Sequence, residues 1–265
     1  MLLHLQLSYI QFQSVILLLM QEIIFRDLGK MDYQSAWDLQ EKLLQLNVKA
    51  KSLAGSLQRD SIDYINSTAP LTHHHLLFVE HPPVYTLGKS GHVENILISE
   101  EERLEKNIEF YPTNRGGDIT FHGPGQIVAY PILDLEKFYT DIGRYLRNLE
   151  EVVIELMSTY GLKGERSAGE TGVWLEPSVK GRERKICAMG VRCSRWITMH
   201  GLALNVNTDL RYFDHIVPCG IQDKQVTSLE KELGYALNMD QVKERMKPCF
   251  EKVFDVKIAQ PQMAG

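Results

Sequence analysis

Residues 115–130, RGGDITFHGPGQIVAY, place a cation, four glycines, a histidine and a glutamine on one short turn between apolar segments. Gly116, Gly117, Gly123 and Gly125 permit positive φ and let the backbone approach a bound molecule closely, because no Cβ stands in the way. Arg115 and His122 would supply polar contacts to that molecule. The same residues also suit a glycine-rich hairpin with a structural arginine, so local spacing alone leaves a ligand loop and a plain turn both open.

A second set of reactive side chains is the four cysteines at 187, 193, 219 and 249. They contain no CxxC pair and are too sparse for a disulfide framework, which points to reduced thiols in a cytoplasm. Cys219 sits in Val-Pro-Cys-Gly, between a rigid residue and a flexible one, whereas Cys187 and Cys193 fall in strand-like runs and Cys249 on the last helix. Loops disproportionately carry function. A thiol is the natural acceptor of an acyl group arriving as a thioester, since exchange between thioesters requires no nucleotide activation. A lone cysteine is also commonly a small buried hydrophobe, and the local sequence leaves both roles open. His73, His74, His75 and His81 do not read as a metal site. Consecutive strand residues point to opposite faces, and no cysteine or carboxylate completes a ligand set.

With 265 residues, 44% hydrophobic and 24% charged, the chain has the composition of an ordinary globular protein and enough length for a substantial core. Its net charge of −5 argues against general nucleic-acid binding. Residues 1–20 are apolar but lack an early Arg or Lys, and their longest unbroken apolar run, Val15 to Met20, is too short to span a bilayer. They are expected to be an extension outside a single domain at 21–265. A peripheral helix and an upstream start, with Met20 the alternative initiator, both fit.

The elements that must position these groups follow from periodicity. Strands are expected at 22–27, 76–80, 84–87, 108–111, 126–135, 171–175, 185–192 and 196–206. Pro82 and Pro83 lack amide donors and force an edge or a turn. Helices are expected at 33–50, from Ser99 with its capping box to Lys106, at 141–160 with Gly161 at C′, from Thr227 to Leu233, and from Asp240 to Phe254 with Pro248 bending it. Two long helices among some eight strands, without strict alternation, indicate an α+β class with a mixed β-sheet packed by helices.

The 115–130 segment closely resembles the signature of the lipoyl(octanoyl) transferases, the lipoate-protein ligase B type. LLFVEHPPVYTLGKSG at 76–91, KICAMGVRCSRWITMHGLALNVN at 185–207 and FDHIVPCGI at 213–221 are similar to further segments of that family, in order and spacing, over most of 22–235. The resemblance implies a catalytic domain like that of biotin and lipoate protein ligases. It implies Cys219 as nucleophile, and Lys185, 34 residues earlier, as the group that stabilises its thiolate and serves as acid and base. Locally, Lys185 is one more lysine of the basic run GRERK. The residues implied for acyl binding are Arg115, Gly116, Gly117, Asp118, Ile119, Thr120, Phe121, His122, Ala188, Met189, Gly190, Gly201, Leu202 and Ala203. The implied donor is octanoyl-acyl carrier protein, and the implied acceptors are lipoyl domains of 2-oxoacid dehydrogenases and the glycine cleavage H protein. No cofactor or metal is implied. An ATP-dependent lipoate or biotin ligase and an inactive carrier-protein binder remain the alternatives, and no GxxxxGK[ST] loop supports the first. Lys180, Arg182, Arg184, Lys185, Arg192 and Arg195 form a basic run that either faces solvent or steers an acidic donor.

Overall fold

The computed structural model describes residues 20–57, 71–217 and 225–259. Among them, β1 (Gln21–Lys30), β2 (His74–Glu80), β6 (Gln126–Ile132), β7 (Val173–Leu175), β8 (Arg184–Ser194), β9 (Ile197–Asn205), β10 (Gln225–Val226) and β11 (Val256–Ala259) form an eight-stranded sheet. Its order is β10-β8-β9-β6-β2-β1-β11, with β7 on β8. β1 runs parallel to β2 and β11, and β8 parallel to β10, while β2–β6, β6–β9, β8–β9 and β7–β8 are antiparallel, so the sheet is mixed. A three-stranded sheet, β4 (Glu109–Pro112), β3 (Val84–Leu87) and β5 (Ile119–His122), stands beside it. The class is α+β.

Both faces of the large sheet are covered, which is why β2 reads as a continuous apolar run. Leu77 and Val79 pack with Ala36, Leu43 and Leu44 of α1 (Tyr33–Leu57). Leu76 and Phe78 point the other way. They pack with Leu149, Val152 and Val153 of α3 (Ile142–Ser158) and with Met246 and Phe250 of α5 (Met239–Phe254). The short α2 (Glu100–Glu105) has the expected capping box, with Ser99 and Glu102 bonding each other's backbone amides.

Several expected boundaries move, each for a local reason. The 115–130 segment is not one turn, because Ile119–His122 pairs with β3 as a strand. At Pro82-Pro83 the turn alternative holds, as a bend that carries the chain from a strand of one sheet to a strand of the other. α4 (Leu229–Leu233) is capped by Ser228, not Thr227. Thr227 is engaged by the sheet, its amide donating to Lys185 O at 2.9 Å. α5 is capped by Asn238, which puts Asp240 in the first turn, where its charge suits the helix dipole. Pro248 lies inside α5 without dividing it. The described long helices are three rather than two, since α5 joins α1 and α3.

Candidate acyl site

β8 and β9 form a long antiparallel pair in which Gly190 faces Gly201, Met189 faces Leu202 and Ala188 faces Ala203. Gly190 admits backbone on top of the sheet, and Gly201 admits the close approach of β6 beside it. A Cβ at Gly190 would lie 2.6 Å from Gly116 O and 3.2 Å from Arg115 Cδ, and one at Gly201 would collide with Ala129 O. The RGG loop therefore rests directly on β8, where Gly116 N donates to Val191 O at 2.9 Å.

Arg115 braces this loop. Its guanidinium donates to Thr86 O at 2.6 Å, Thr86 Oγ1 at 2.9 Å, Asp118 O at 2.8 Å and Gly116 O at 3.0 Å. Gly117 has φ +87, a region that favours glycine, and its carbonyl accepts from Ser90 N. Asp118 accepts from Asn95 Nδ2 at 2.9 Å. The cation thus ties the loop to β3 as well as facing a cavity.

That cavity has a volume of about 650 Å³, within the usual range of small-molecule sites. Lys185, Arg115, Gly116, Gly117, Asp118, Ile119, Thr120, His122, Ala188, Met189, Gly190, Gly201, Leu202 and Ala203 all line it. Phe121 does not. Strand alternation turns its ring the other way, to stack on Tyr212 with centroids 4.6 Å apart and to pack against Tyr85 and Phe213. Cys219 lies outside the described residues.

One end of the cavity is closed by groups that converge from distant segments. Tyr33 on α1, Tyr130 on β6, His122 on β5 and His200 on β9 are all buried. His122 Nδ1 pairs with Gln126 Oε1 at 2.8 Å, and Gln126 Nε2 donates to Phe121 O and to Asn205 Oδ1. His200 Nε2 pairs with Asn114 Oδ1 at 2.8 Å, and His81 bridges Met31 O and the Tyr130 hydroxyl. Burial pushes His122 and His200 down to about 3 and His81 to about 4, so these imidazoles are neutral at pH 7. Burial pushes Tyr33 up to about 12.

The other end is half-open. Lys185 is partly exposed there, and its Nζ lies 4.6 Å from the centre of the Trp174 ring, a cation–π contact. Gly169, Glu170 and Thr171 line the same end. The three described cysteines are poor thiolate sources, because burial raises the Cys187, Cys193 and Cys249 thiols above their ordinary value. Among the described residues no cluster of metal-ligating side chains occurs, and no helix is long and apolar enough to cross a membrane.

Residues 32–251 match the lipoyl protein ligase A/B catalytic domain. This chain belongs to that family. It is 55% identical over 239 residues to a protein of Christiangramia forsetii named octanoyltransferase, covering 90% of this chain and 98% of that one. A Flavobacterium johnsoniae octanoyltransferase is 53% identical over 241 residues, covering 90% and 99%, and with relatives this similar the chain is an acyltransferase. In structure the fold matches a lipoate-protein ligase A solved with ATP, with a TM-score of 0.62, 13% identity and coverage of 92% and 90%. A putative lipoate protein ligase of Thermoplasma acidophilum with bound lipoic acid gives a TM-score of 0.60 at 14% identity, again covering 92% and 90%.

The glycine-rich loop and the β8–β9 pair were accessible from local sequence chemistry and family resemblance. Tyr33, Tyr130, Gln126 and His200 were not singled out as cavity residues. An aromatic or histidine in an apolar run carries no local mark of facing a cavity.

Proposed function

We propose that this acyltransferase moves an octanoyl group from octanoyl-acyl carrier protein to a lysine of a lipoyl domain, through a thioester on Cys219. The observation that carries this reading is that one mostly apolar cavity has Lys185 at its half-open end and the three family-matched segments along its walls. Each methylene buried there contributes about 0.8 kcal/mol, enough to hold a medium chain. The octanoyltransferase relatives at 53–55% identity support the choice of acyl group.

In the first step the free-amine form of Lys185 takes the Cys219 proton, giving a thiolate beside an ammonium. The thiolate attacks the donor carbonyl, a new C–S bond forms, the donor C–S bond breaks, and the carrier thiol leaves with the proton from Lys185. In the second step the ε-amine of the acceptor lysine attacks the enzyme thioester. A C–N bond forms, the Cys219 C–S bond breaks, and Lys185 passes the amine proton back to sulfur. A thioester becomes a more stable amide, so neither ATP nor metal is required. The acceptors are lipoyl domains of 2-oxoacid dehydrogenases and the glycine cleavage H protein, in the cytoplasm, as part of lipoate biosynthesis.

The test is transfer to a lipoyl domain from octanoyl carrier protein without ATP, set against free octanoate with ATP. Transfer in the first tube alone is expected. Transfer only in the second would instead establish an adenylating ligase, and transfer in neither would leave a carrier-protein binder.

A further inference from the structure

Glu150 lies on α3 and is fully buried, an environment in which a carboxylate persists only when its oxygens are satisfied. Its Oε2 accepts from Arg147 Nη1 at 2.8 Å and from Arg166 Nε at 3.0 Å. Its Oε1 accepts from the backbone amide of Gly172 at 3.0 Å. Both arginines are partly exposed and are hydrated from outside, but the amide of Gly172 is not at the surface.

Gly172 is the point at which this carboxylate meets the acyl site. It follows Gly169, Glu170 and Thr171 of the cavity wall, and it has φ +124, a conformation that favours glycine. A Cβ there would lie 2.5 Å from Cys187 O and 3.5 Å from Lys185 Cε. The Lys185 side chain therefore lies close to the Gly172 backbone and over the ring of Trp174. Trp174 itself is fixed by a two-way backbone bridge to Glu165, at 2.8 and 2.9 Å.

We propose that Glu150 is a positioning residue for Lys185. It sets the height of the 169–172 segment, and through Gly172 it sets where the lysine ammonium sits. This rests on the role given to Lys185 above. Proton transfer depends steeply on geometry, and an error of about 1 Å costs up to a hundredfold. Loss of the Gly172 anchor is therefore expected to slow acylation with little change in donor affinity, because the donor-binding walls on β8 and β9 are untouched.

The experiment is a double-mutant cycle on the rate of enzyme acylation by octanoyl carrier protein, using Glu150→Ala, Lys185→Ala and the pair in the full-length chain. Glu150→Ala should lower kcat about ten- to a hundredfold with KM within about threefold. In the Lys185→Ala background the same change should cost less than about twofold, because Glu150 would act only through that lysine. Equal losses in both backgrounds would overturn the proposal, since a merely structural residue weakens both enzymes alike. Should Glu150→Ala fail to fold, Glu150→Gln runs through the same cycle, with a smaller loss of the same sign expected from its weaker, uncharged acceptor. If Lys185→Ala alone leaves acylation unchanged, the role given to Lys185 fails first. If Lys185→Ala is slow and Glu150→Ala is not, only the positioning role fails.

Discussion

The two ends of the cavity are built on opposite physical terms. At the closed end, Tyr33, Tyr130, His122 and His200 come from four separate elements, are nearly inaccessible, and are held neutral by burial. Their hydrogen bonds run inward, to Gln126 and Asn114 and on to Asn205. At the half-open end, Lys185 is a partly exposed cation beside an aromatic face. Neutral, desolvated groups give a site its shape and give up proton exchange, whereas a partly hydrated cation keeps proton exchange and gives up rigidity. Binding is therefore expected to belong to one end and proton transfer to the other.

The strongest break in that division is Lys185→Ala. It should slow acylation about 10²–10⁴-fold, the usual cost of a positioned acid/base group, while leaving the unfolding midpoint near wild type. Stopped or quenched-flow acylation and a thermal melt check the two halves. A parallel loss of stability would show that the half-open end is also structural.

Gly190→Ala strikes the wall between the ends. Its Cβ would lie 2.6 Å from Gly116 O, so the RGG loop must lift from β8, at a cost of about 1–3 kcal/mol of stability. Transfer should fall at least about tenfold, with KM for the donor rising. Wild-type KM would mean that the loop does not contact the acyl group.

Acid sharpens the contrast at the closed end. His81, His122 and His200, together with His74 and His75 of β2, have folded values of about 3 to 4 against an ordinary value near 6.5, with burial the largest cause of each shift. Between those values the unfolded chain binds more protons than the folded one, so stability falls as pH drops from about 6.5 towards 4. Each histidine contributes up to about 1.4 kcal/mol per pH unit in that window. Urea midpoints at pH 7 and pH 5 test this. An unchanged midpoint would mean that these rings are already accessible to protons.

The smallest effect is expected from the amino terminus. A chain starting at Met20 should fold and turn over like the 265-residue chain, because residues 32–251 carry the family match. Recovery of soluble protein and the transfer rate are the readouts, and a large loss of either would place residues 1–19 in the core.

How much of this was legible in the sequence differs along the same cavity. The RGG loop was legible as a glycine-rich turn because glycine chemistry is local, its role as a cavity wall rested on the family resemblance, and the fold class followed from the pattern of strands and helices. β5 was hidden because four strand residues sit among glycines and look like turn. Lys185 is indistinguishable from its neighbours in GRERK until β7 and β8 set it against Trp174. Arg184 in the same run is committed to Glu232 and Glu176, Arg182 to Glu176, and Arg192 to Glu41, so much of the apparent basic patch is ion-paired. Tyr33 and His200 are 167 positions apart, and only the packing of α1 against the sheet brings them to one cavity.

The measurement that bears most directly on the chemistry is the intact mass of the protein after incubation with octanoyl carrier protein, followed by peptide mapping. One octanoyl group should be gained, released by hydroxylamine, located on the peptide that contains Cys219, and absent from Cys219→Ala, which should also have lost transfer. An octanoyl group on Cys187, Cys193 or Cys249, or full transfer by Cys219→Ala, would contradict the assignment of the nucleophile.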